Sequence, residues 1–548
     1  MKPVARKTLA SLIAEQIRRE IVHGNLKASQ RLPSEQELSA ELGVGRPTLR
    51  EALRILEGQG WVQIQFSTGV FVSDPENLAD RMSTYYGKEG ILDLLESEVS
   101  QLVQEGREVP ESARAELSAL KENGKPREIE ELIERLQQLP IASSFPYVEP
   151  TTLADIRASR APRADGETAS ARGLFALACA RERIHGGLLG RCVGSLLGTP
   201  VNGWTSGAIE QYLRAVGRYP LTGLMPYAPK EAARGEYSFR GTEPSDSPLR
   251  QKALLRGVAP EYAILNDTVL SLKVMQLHGW DFSSDDVGGE WLSSLPYRAT
   301  LTAERQAYGN LVRGLSPPAT ATILNPFREW IGGTVRADLY GYVCPGDPAA
   351  AAMLAYRDAT VSHTKNGVYG AMFVAAAIAS AFGAQSAEEV VAAGMGEIPQ
   401  RSRMWELLSS VVRQWRDGVE WQTVLAGVTE RCKVYKRPHV LPNVGRLAIG
   451  LLYGDMDVRK TLCITVMCGS DPDCTAGAAG SIVGVRAGVG GIPEDFREAA
   501  GDRLPTAVLG FHDTRISLVA EAAEQILQGS PFRGEARATE AAGEARRR

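Results

Sequence analysis

Residues 34–58 read SEQELSAELGVGRPTLREALRILEG, and their spacing decides the front of the chain. Pro33 precedes Ser34, and Ser34 with Glu37 has the S-x-x-E form of a capping box. In that motif a serine oxygen and a glutamate satisfy backbone N–H groups that a helix start leaves unpaired. Leu38 and Leu42 share one helix face. Gly43-Val44-Gly45 breaks the helix, and a second begins near Arg46 and carries Leu49, Ala52, Leu53 and Leu56 to Gly58. Two short helices joined by a glycine-containing turn predict a helix-turn-helix. The first turn of the second helix offers Arg46, Thr48 and Arg50, and that is the part of such a helix that reaches base edges and phosphates.

Beyond this core, Gly60-Trp61-Val62-Gln63-Ile64-Gln65 alternates apolar and polar residues as a strand does. Phe66-Ser67-Thr68-Gly69 reads as a turn and Val70-Phe71-Val72 as the returning strand, a hairpin wing. The run IRREIVHGNLKASQRLPSEQELSAELGVGRPTLREALRILEGQGWV with its TGVFV wing resembles the GntR family in helices, turn and wing. The resemblance implies a double-stranded DNA operator contacted by Arg31, Arg46, Thr48, Arg50 and the wing near Gly69. It departs from the family at Gln36, where arginine is frequent, and at Phe66 and Ser67, where relatives are more basic. Residues 1–75 hold ten Lys/Arg against eight Asp/Glu, a weakly basic module. Phosphate contacts drive affinity, so a homodimer with two half-sites is expected.

Residues 80–140 are charged and helical in period. One helix is expected over Ile91–Glu105 and another over Ala113–Leu139, with Gly124-Lys125-Pro126 interrupting the second. Such a pair is either a hairpin packed on a neighbour or a dimerisation or relay element. Residues 141–172, rich in Pro, Ser, Arg and Ala, read as a linker or an extended wrapping segment. Residues 173–530 form an Ala/Gly-rich helical body, and 531–548 a polar, disordered tail.

With 548 residues the chain is long enough for two to four domains. A net charge of −4 indicates no polyanionic partner for the molecule as a whole. No apolar run is long enough for a membrane span and no secretory signal opens the chain, so a cytoplasmic protein without a membrane partner is expected. The seven cysteines lack any CxxC pair and read as free thiols.

Two acidic clusters stand at helix starts in the body, where hard-metal sites are sought first. Leu265-Asn266-Asp267-Thr268 precedes VLSLKVMQL, and Gly469-Ser470-Asp471-Pro472-Asp473-Cys474-Thr475 precedes AGAAGSIVGVRAGVG. Read alone, each also serves as a helix cap. Together with RIHGGLLGR (183–191), VGSLLGTPVNGW (193–204), NPFREWIGG (325–333), YGYVCPGDP (340–348), YRDATVSHTKNGVYGAMFVAAAIA (356–379) and CGSDPDCTAGAAGSIVG (468–484), they resemble the ADP-ribosylglycohydrolase family. The resemblance spans roughly residues 180–530.

It implies a large all-α bundle, so the whole chain is expected to be mainly α with one small hairpin. It also implies a two-magnesium centre that helps cleave a glycosidic bond at an ADP-ribose-like ribose. The metal motif is eroded. Leu265 and Asn266 stand where relatives show Ser/Thr and Asp, Asn202 replaces a carboxylate, and Cys474 stands where an oxygen donor is common. The resemblance then implies Asn266, Asp267, Asp471, Asp473 and Cys474 as ligands for one or two Mg²⁺, better supplied for one. It gives catalytic roles to Asp267 and Asp473. Asn202, His363, Asn366 and Gly367 become ligand-binding candidates, with His439 and Asn443 in KRPHVLPNVG a weaker pair. Gly186, Gly187, Gly190 and Gly194 read as close-packing positions rather than a phosphate cradle. The function expected is a DNA-binding regulator sensing an ADP-ribose- or nucleoside-like ligand. The alternative is an active Mg-dependent glycohydrolase.

Overall fold

The structure, a computed structural model, describes residues 9–22, 26–27, 29–58, 62–65, 69–72, 94–123, 126–161, 179–226 and 265–531. The turn residues 66–68, the latter part of the 141–172 segment and the tail beyond 531 lie outside the described residues. The chain divides into two compact units, Met1–Ile141 with Gly288–Pro326, and Ala142–Val287 with Phe327–Arg548. Helices dominate both. The sheets among the described residues are two antiparallel pairs, 62–65 with 69–72 and 503–505 with 513–515.

In the first unit, α1 (Leu9–Val22), α2 (Glu35–Glu41) and α3 (Arg46–Gly58) pack through Ala10, Ile13, Ala14, Ile17, Leu38, Leu49, Ala52, Leu53 and Leu56, all buried. The capping box forms as read: the Ser34 side chain accepts from the Glu37 N–H, and the Glu37 carboxylate accepts from the Ser34 N–H at 2.8 Å. Those bonds to Ser34 hold the Glu37 carboxyl below its ordinary pKa. Gly43 closes α2 at φ +65°, a left-handed turn that glycine adopts without strain. Strands β1 (Val62–Gln65) and β2 (Gly69–Val72) form the wing, with Val62 opposite Val72.

Three further helices share one apolar cluster in this unit: α4 (94–104), α5 (Glu111–Asn123) and α6 (Pro126–Gln137). Leu95, Val99, Leu102, Ala113, Leu117, Leu132, Ile133 and Leu136 build it, and Leu324 packs against it. The expected second helix is therefore two, ending at Asn123 and restarting at Pro126, whose fixed φ suits a first helical position. Residues 288–326, within the span read from sequence as the helical body, group by contacts with this unit. Gln137 shows how: its side-chain amide nitrogen, Nε2, donates to Glu98 Oε1 at 3.0 Å and to the Thr322 carbonyl at 2.9 Å.

The second unit is organised by two long helices, α8 (Ala180–Gly198) and α13 (Pro472–Ala487), that run antiparallel with backbone against backbone at the glycines; among the helices between them in the chain are α9 (Asn266–His278), α10 (Pro348–Ala359), α11 (Lys365–Ala381) and α12 (Val440–Gly454). A Cβ on Gly190 would strike the Gly480 carbonyl, one on Gly194 the Ala476 carbonyl, and one on Gly198 the Pro472–Asp473 peptide. The glycines at every fourth position of α8 therefore let two backbones touch. This contact fixes the first turn of α13, which carries Asp473, against the end of α8. Preceding α8, residues 142–161 run extended with one short helix, α7 (Leu153–Ala158), and wrap on the body. The Val148 N–H donates to the Arg401 carbonyl at 2.9 Å, and the Gln400 N–H to the Ser159 carbonyl at 2.9 Å. Among the described residues, no helix is long and apolar enough to cross a membrane.

Candidate functional site

The nucleic-acid candidates lie on two elements of the winged module, the start of α3 and the wing. Arg46 and Arg50 are exposed in the first turn and a half of α3, and Thr48 is half-buried between them. Arg50 pairs with Glu35 at 2.8 Å, but both side chains are largely exposed, and surface pairs of this kind are weak and easily exchanged. Arg31 bridges to Phe71, and Leu32 donates to the Val70 carbonyl at 2.8 Å, so the chain at Arg31 forms a third edge on the wing. Gly69, at φ +124°, lies under the Arg31 guanidinium; a Cβ there would come within 2.8 Å of its Nε. The structure thus brings Arg31 and Gly69 together, and sets Arg46, Thr48 and Arg50 on the recognition helix.

The acidic candidates divide. Asp471 is the N-cap residue of α13 and Asp473 lies in its first turn, both nearly buried, with Cys474 half-buried beside them. Donor atoms of these three fall within 4.8 Å of one another, and among the described residues they are the one such group that could hold a metal. Asp267 and Asn266 open helix α9 (Asn266–His278) and are not in it. Asn266 is buried, and its side-chain oxygen accepts the Ala507 N–H at 2.8 Å, a structural use.

Asn202 does join the cluster. It follows a 3-10 turn, Thr199–Val201, at the end of α8. The segment after it is laced to the α13 entrance: Ser470 donates to the Trp204 carbonyl at 2.9 Å, and Gly203 to the Ser470 carbonyl at 3.0 Å. The Asn202 amide nitrogen donates to Asp473 Oδ2 at 2.5 Å. Its oxygen accepts from Arg437 Nη1 at 2.7 Å, and the same Nη1 donates to Asp471 Oδ1 at 2.7 Å and to the Ser470 carbonyl at 3.3 Å. Sequence reading singled out His439 and Asn443 in this segment and passed over Arg437. Nothing local marks it, because its partners lie more than thirty residues away in either direction.

These residues do not fit the two-magnesium centre that the resemblance implies. Mg²⁺ demands a near-octahedral shell of oxygens. Here Asp471 Oδ1 is held by a guanidinium, Asp473 Oδ1 accepts the Cys474 N–H at 2.9 Å, and Asp473 Oδ2 is taken by Asn202. The third donor is a thiol, poorly matched to a hard ion. Burial, then the charges of Asp473 and Asp471, push that thiol well above its ordinary pKa and keep it protonated. Burial also raises the Asp473 carboxyl above its ordinary value, against the opposing Cys474 and Asn202 hydrogen bonds.

The other expected ligand residues sit in a separate buried network. His363 contributes Nε2 as acceptor to the Gly333 N–H at 3.2 Å, and its Nδ1 meets Ser362 Oγ at 2.8 Å. Burial holds His363 well below its ordinary pKa, hence neutral. Gly367 backs onto the Arg328 carbonyl, which leaves no room for a Cβ. Asn366 Nδ2 donates to Glu329 and to Glu149, each at 2.8 Å, while its oxygen accepts the Met404 N–H at 3.2 Å. Arg403 ties this group together, donating to Glu149 Oε2 at 2.6 Å and Glu329 Oε1 at 2.8 Å. All four are buried. Sequence reading missed Glu149, Glu329 and Arg403, which come from three distant segments.

Comparison with known proteins places both halves. The family model for ADP-ribosylglycohydrolase matches residues 177–530, and that for bacterial regulatory proteins of the gntR family matches residues 9–72. The HTH-type transcriptional repressor NanR of Klebsiella aerogenes is 42% identical over 74 residues, and that of Salmonella newport 40% identical over 74 residues. These stretches are 14% of this chain and 28% of each repressor, so the chain spans little more than a quarter of the curated relatives it matches. A solved "ADP-ribosylglycohydrolase-related protein complex" aligns with 64% of this chain and 99% of its own, at 17% identity and a TM-score of 0.39. Since the first family model covers more than half of its residues, the chain belongs to the ADP-ribosylglycohydrolase family and carries a GntR-type DNA-binding regulator domain at its front.

Proposed function

We propose that the protein is a transcription regulator whose ADP-ribosylglycohydrolase-family domain senses an ADP-ribose- or nucleoside-like ligand. In this reading a homodimer contacts duplex operator DNA through Arg31, Arg46, Thr48, Arg50 and the wing at Gly69, in the cytoplasm where the operator lies. The observation that carries it is the exposed start of α3, where Arg46 and Arg50 stand clear of the module's core. The printed name of the similar repressors supports a regulatory role. A ligand shifts DNA binding only if it binds two states with different affinity. The test selects duplexes from a random pool and measures their affinity with and without ADP-ribose, NAD⁺ and simple ribosides. A shift of about fivefold or more with one of them is expected. No duplex binding at low salt would end the regulatory reading, and binding untouched by every ligand would end the sensing half.

A second reading, a Mg-dependent glycohydrolase acting on an ADP-ribosyl or related ribosyl bond, is favoured by the convergence of Asp471, Asp473 and Cys474 donors. It requires Arg437 to give up Asp471. It predicts ADP-ribose release from an ADP-ribosylated protein in Mg²⁺, lost in Asp473→Ala.

A further inference from the structure

The acidic pair at the head of α13 already has a cation, and it is part of the chain. Arg437 Nη1 sits between Asn202 Oδ1 and Asp471 Oδ1, 2.7 Å from each, and Asn202 hands the contact on to Asp473. Asp471 and Asp473 are nearly buried, so their charge needs a close partner, and the half-buried Arg437 side chain stands beside them. A guanidinium meets that need with directed hydrogen bonds and cannot lose its proton.

The arginine is also held from its backbone. Its carbonyl accepts from Asn443 Nδ2 at 2.8 Å and from Ser470 Oγ at 3.3 Å, while Asn443 Nδ2 also donates to the His439 carbonyl at 2.9 Å. Asn443 is fully buried. The next residue, Pro438, lends its carbonyl to the Ile331 N–H at 2.8 Å. Arg437 is therefore aimed by a loop clamped on two sides, and Ser470 both gives to and receives from it.

We propose that Arg437 is the resident cation of this site, doing for Asp471 and Asp473 what a divalent metal does elsewhere, so that the protein works without a metal there. The Asn202 side chain is the joint of the arrangement. A carboxylate at 202 would add a third negative charge and call for a stronger cation; the amide instead donates to one neighbour and accepts from the other.

The test uses the full chain and Mn²⁺ alone as the probe, with free Mn²⁺ read by electron paramagnetic resonance. The wild-type protein is expected to bind Mn²⁺ weakly and without a defined stoichiometry. Arg437→Gln removes a unit positive charge from a few ångströms away and takes the guanidinium off Asp471 Oδ1. It is expected to bind one ion at least about tenfold more tightly, because like charges at such distances repel strongly in a partly buried site. Adding Asp471→Asn to that variant is expected to abolish the gain. If Arg437→Gln binds no more tightly than wild type, or if wild type binds one ion that Asp471→Asn removes, the proposal is overturned. Should Arg437→Gln fail to fold, Asp471→Ala alone decides. Unchanged Mn²⁺ affinity with a lowered melting temperature supports a resident arginine, and lowered affinity overturns it. Operator binding plays no part in these readouts, so they stand whether or not the protein regulates transcription.

Discussion

The winged module and the α8–α13 pair carry their chemistry in opposite ways. In the module the proposed contact residues are local: Arg46 and Arg50, both exposed, flank the half-buried Thr48 on a single helix, and only Arg31 and Gly69 meet across the fold. In the α8–α13 region Asp471 and Asp473 are nearly buried, Asn202 and Arg437 are half-buried, and the four come from distant parts of the chain. A surface that meets a partner can be built from consecutive residues, because solvent screens their charges until the partner arrives. A buried polar group has to be satisfied by whatever the tertiary fold brings to it. The first kind of site is open to substitution without loss of fold; the second is inseparable from stability.

That contrast can be broken most sharply at Arg403. Arg403→Ala takes from the buried Glu149 and Glu329 carboxylates the guanidinium they share and is expected to cost about 3–5 kcal/mol in urea unfolding followed by tryptophan fluorescence. A cost under about 1 kcal/mol would mean that the network does not hold residues 142–161 in place. In the module, Arg46→Ala is expected to leave the melting temperature alone and weaken duplex binding by about 1–3 kcal/mol, about fivefold to 150-fold, in fluorescence anisotropy. Unaltered binding would remove Arg46 from the DNA face.

A pH series sharpens the comparison further. His363 and His439 are held below the ordinary imidazole value of 6.5, in both cases chiefly by burial. Groups depressed in the folded state bind protons more readily when unfolded. Their stabilisation is complete above pH 6.5 and is lost as pH falls below it, by at most about 1.4 kcal/mol per pH unit for each. His363→Gln is expected to flatten that slope, whatever it does to stability at pH 8, and an unchanged slope would remove His363 as a cause. The smallest effect belongs to the cap: Ser34→Ala is expected to cost about 1 kcal/mol in the winged module, read from its melting temperature, with no effect on the rest of the chain.

Legibility in the sequence followed the same division. The capping box at Ser34 and Glu37, the turn at Gly43 and the break before Pro126 are short-range signals, and each appears in the structure where the sequence put it. The glycines of α8 were legible as packing positions because their spacing matches one helix face. The grouping of residues 288–326 with the first unit was not, since nothing in that stretch records that Thr322 receives Gln137. Nor was the network around Asn366 legible, because the side chains it joins, Glu149, Glu329 and Arg403, come from distant segments. Arg437 is the clearest case. Its role exists only once Asn202 and Asp471 have been carried to it.

The contact between α8 and α13 has a consequence for how this scaffold diverges. Where main chain rests on main chain there is little side chain to exchange, so apart from Ser195, whose hydroxyl donates to the Asp473 carbonyl, the seat of Asp473 has little scope for repacking. Any descendant that acquires a different chemistry at this site must alter the loop carrying Arg437 or the turn carrying Asn202, and leave the glycine seam untouched.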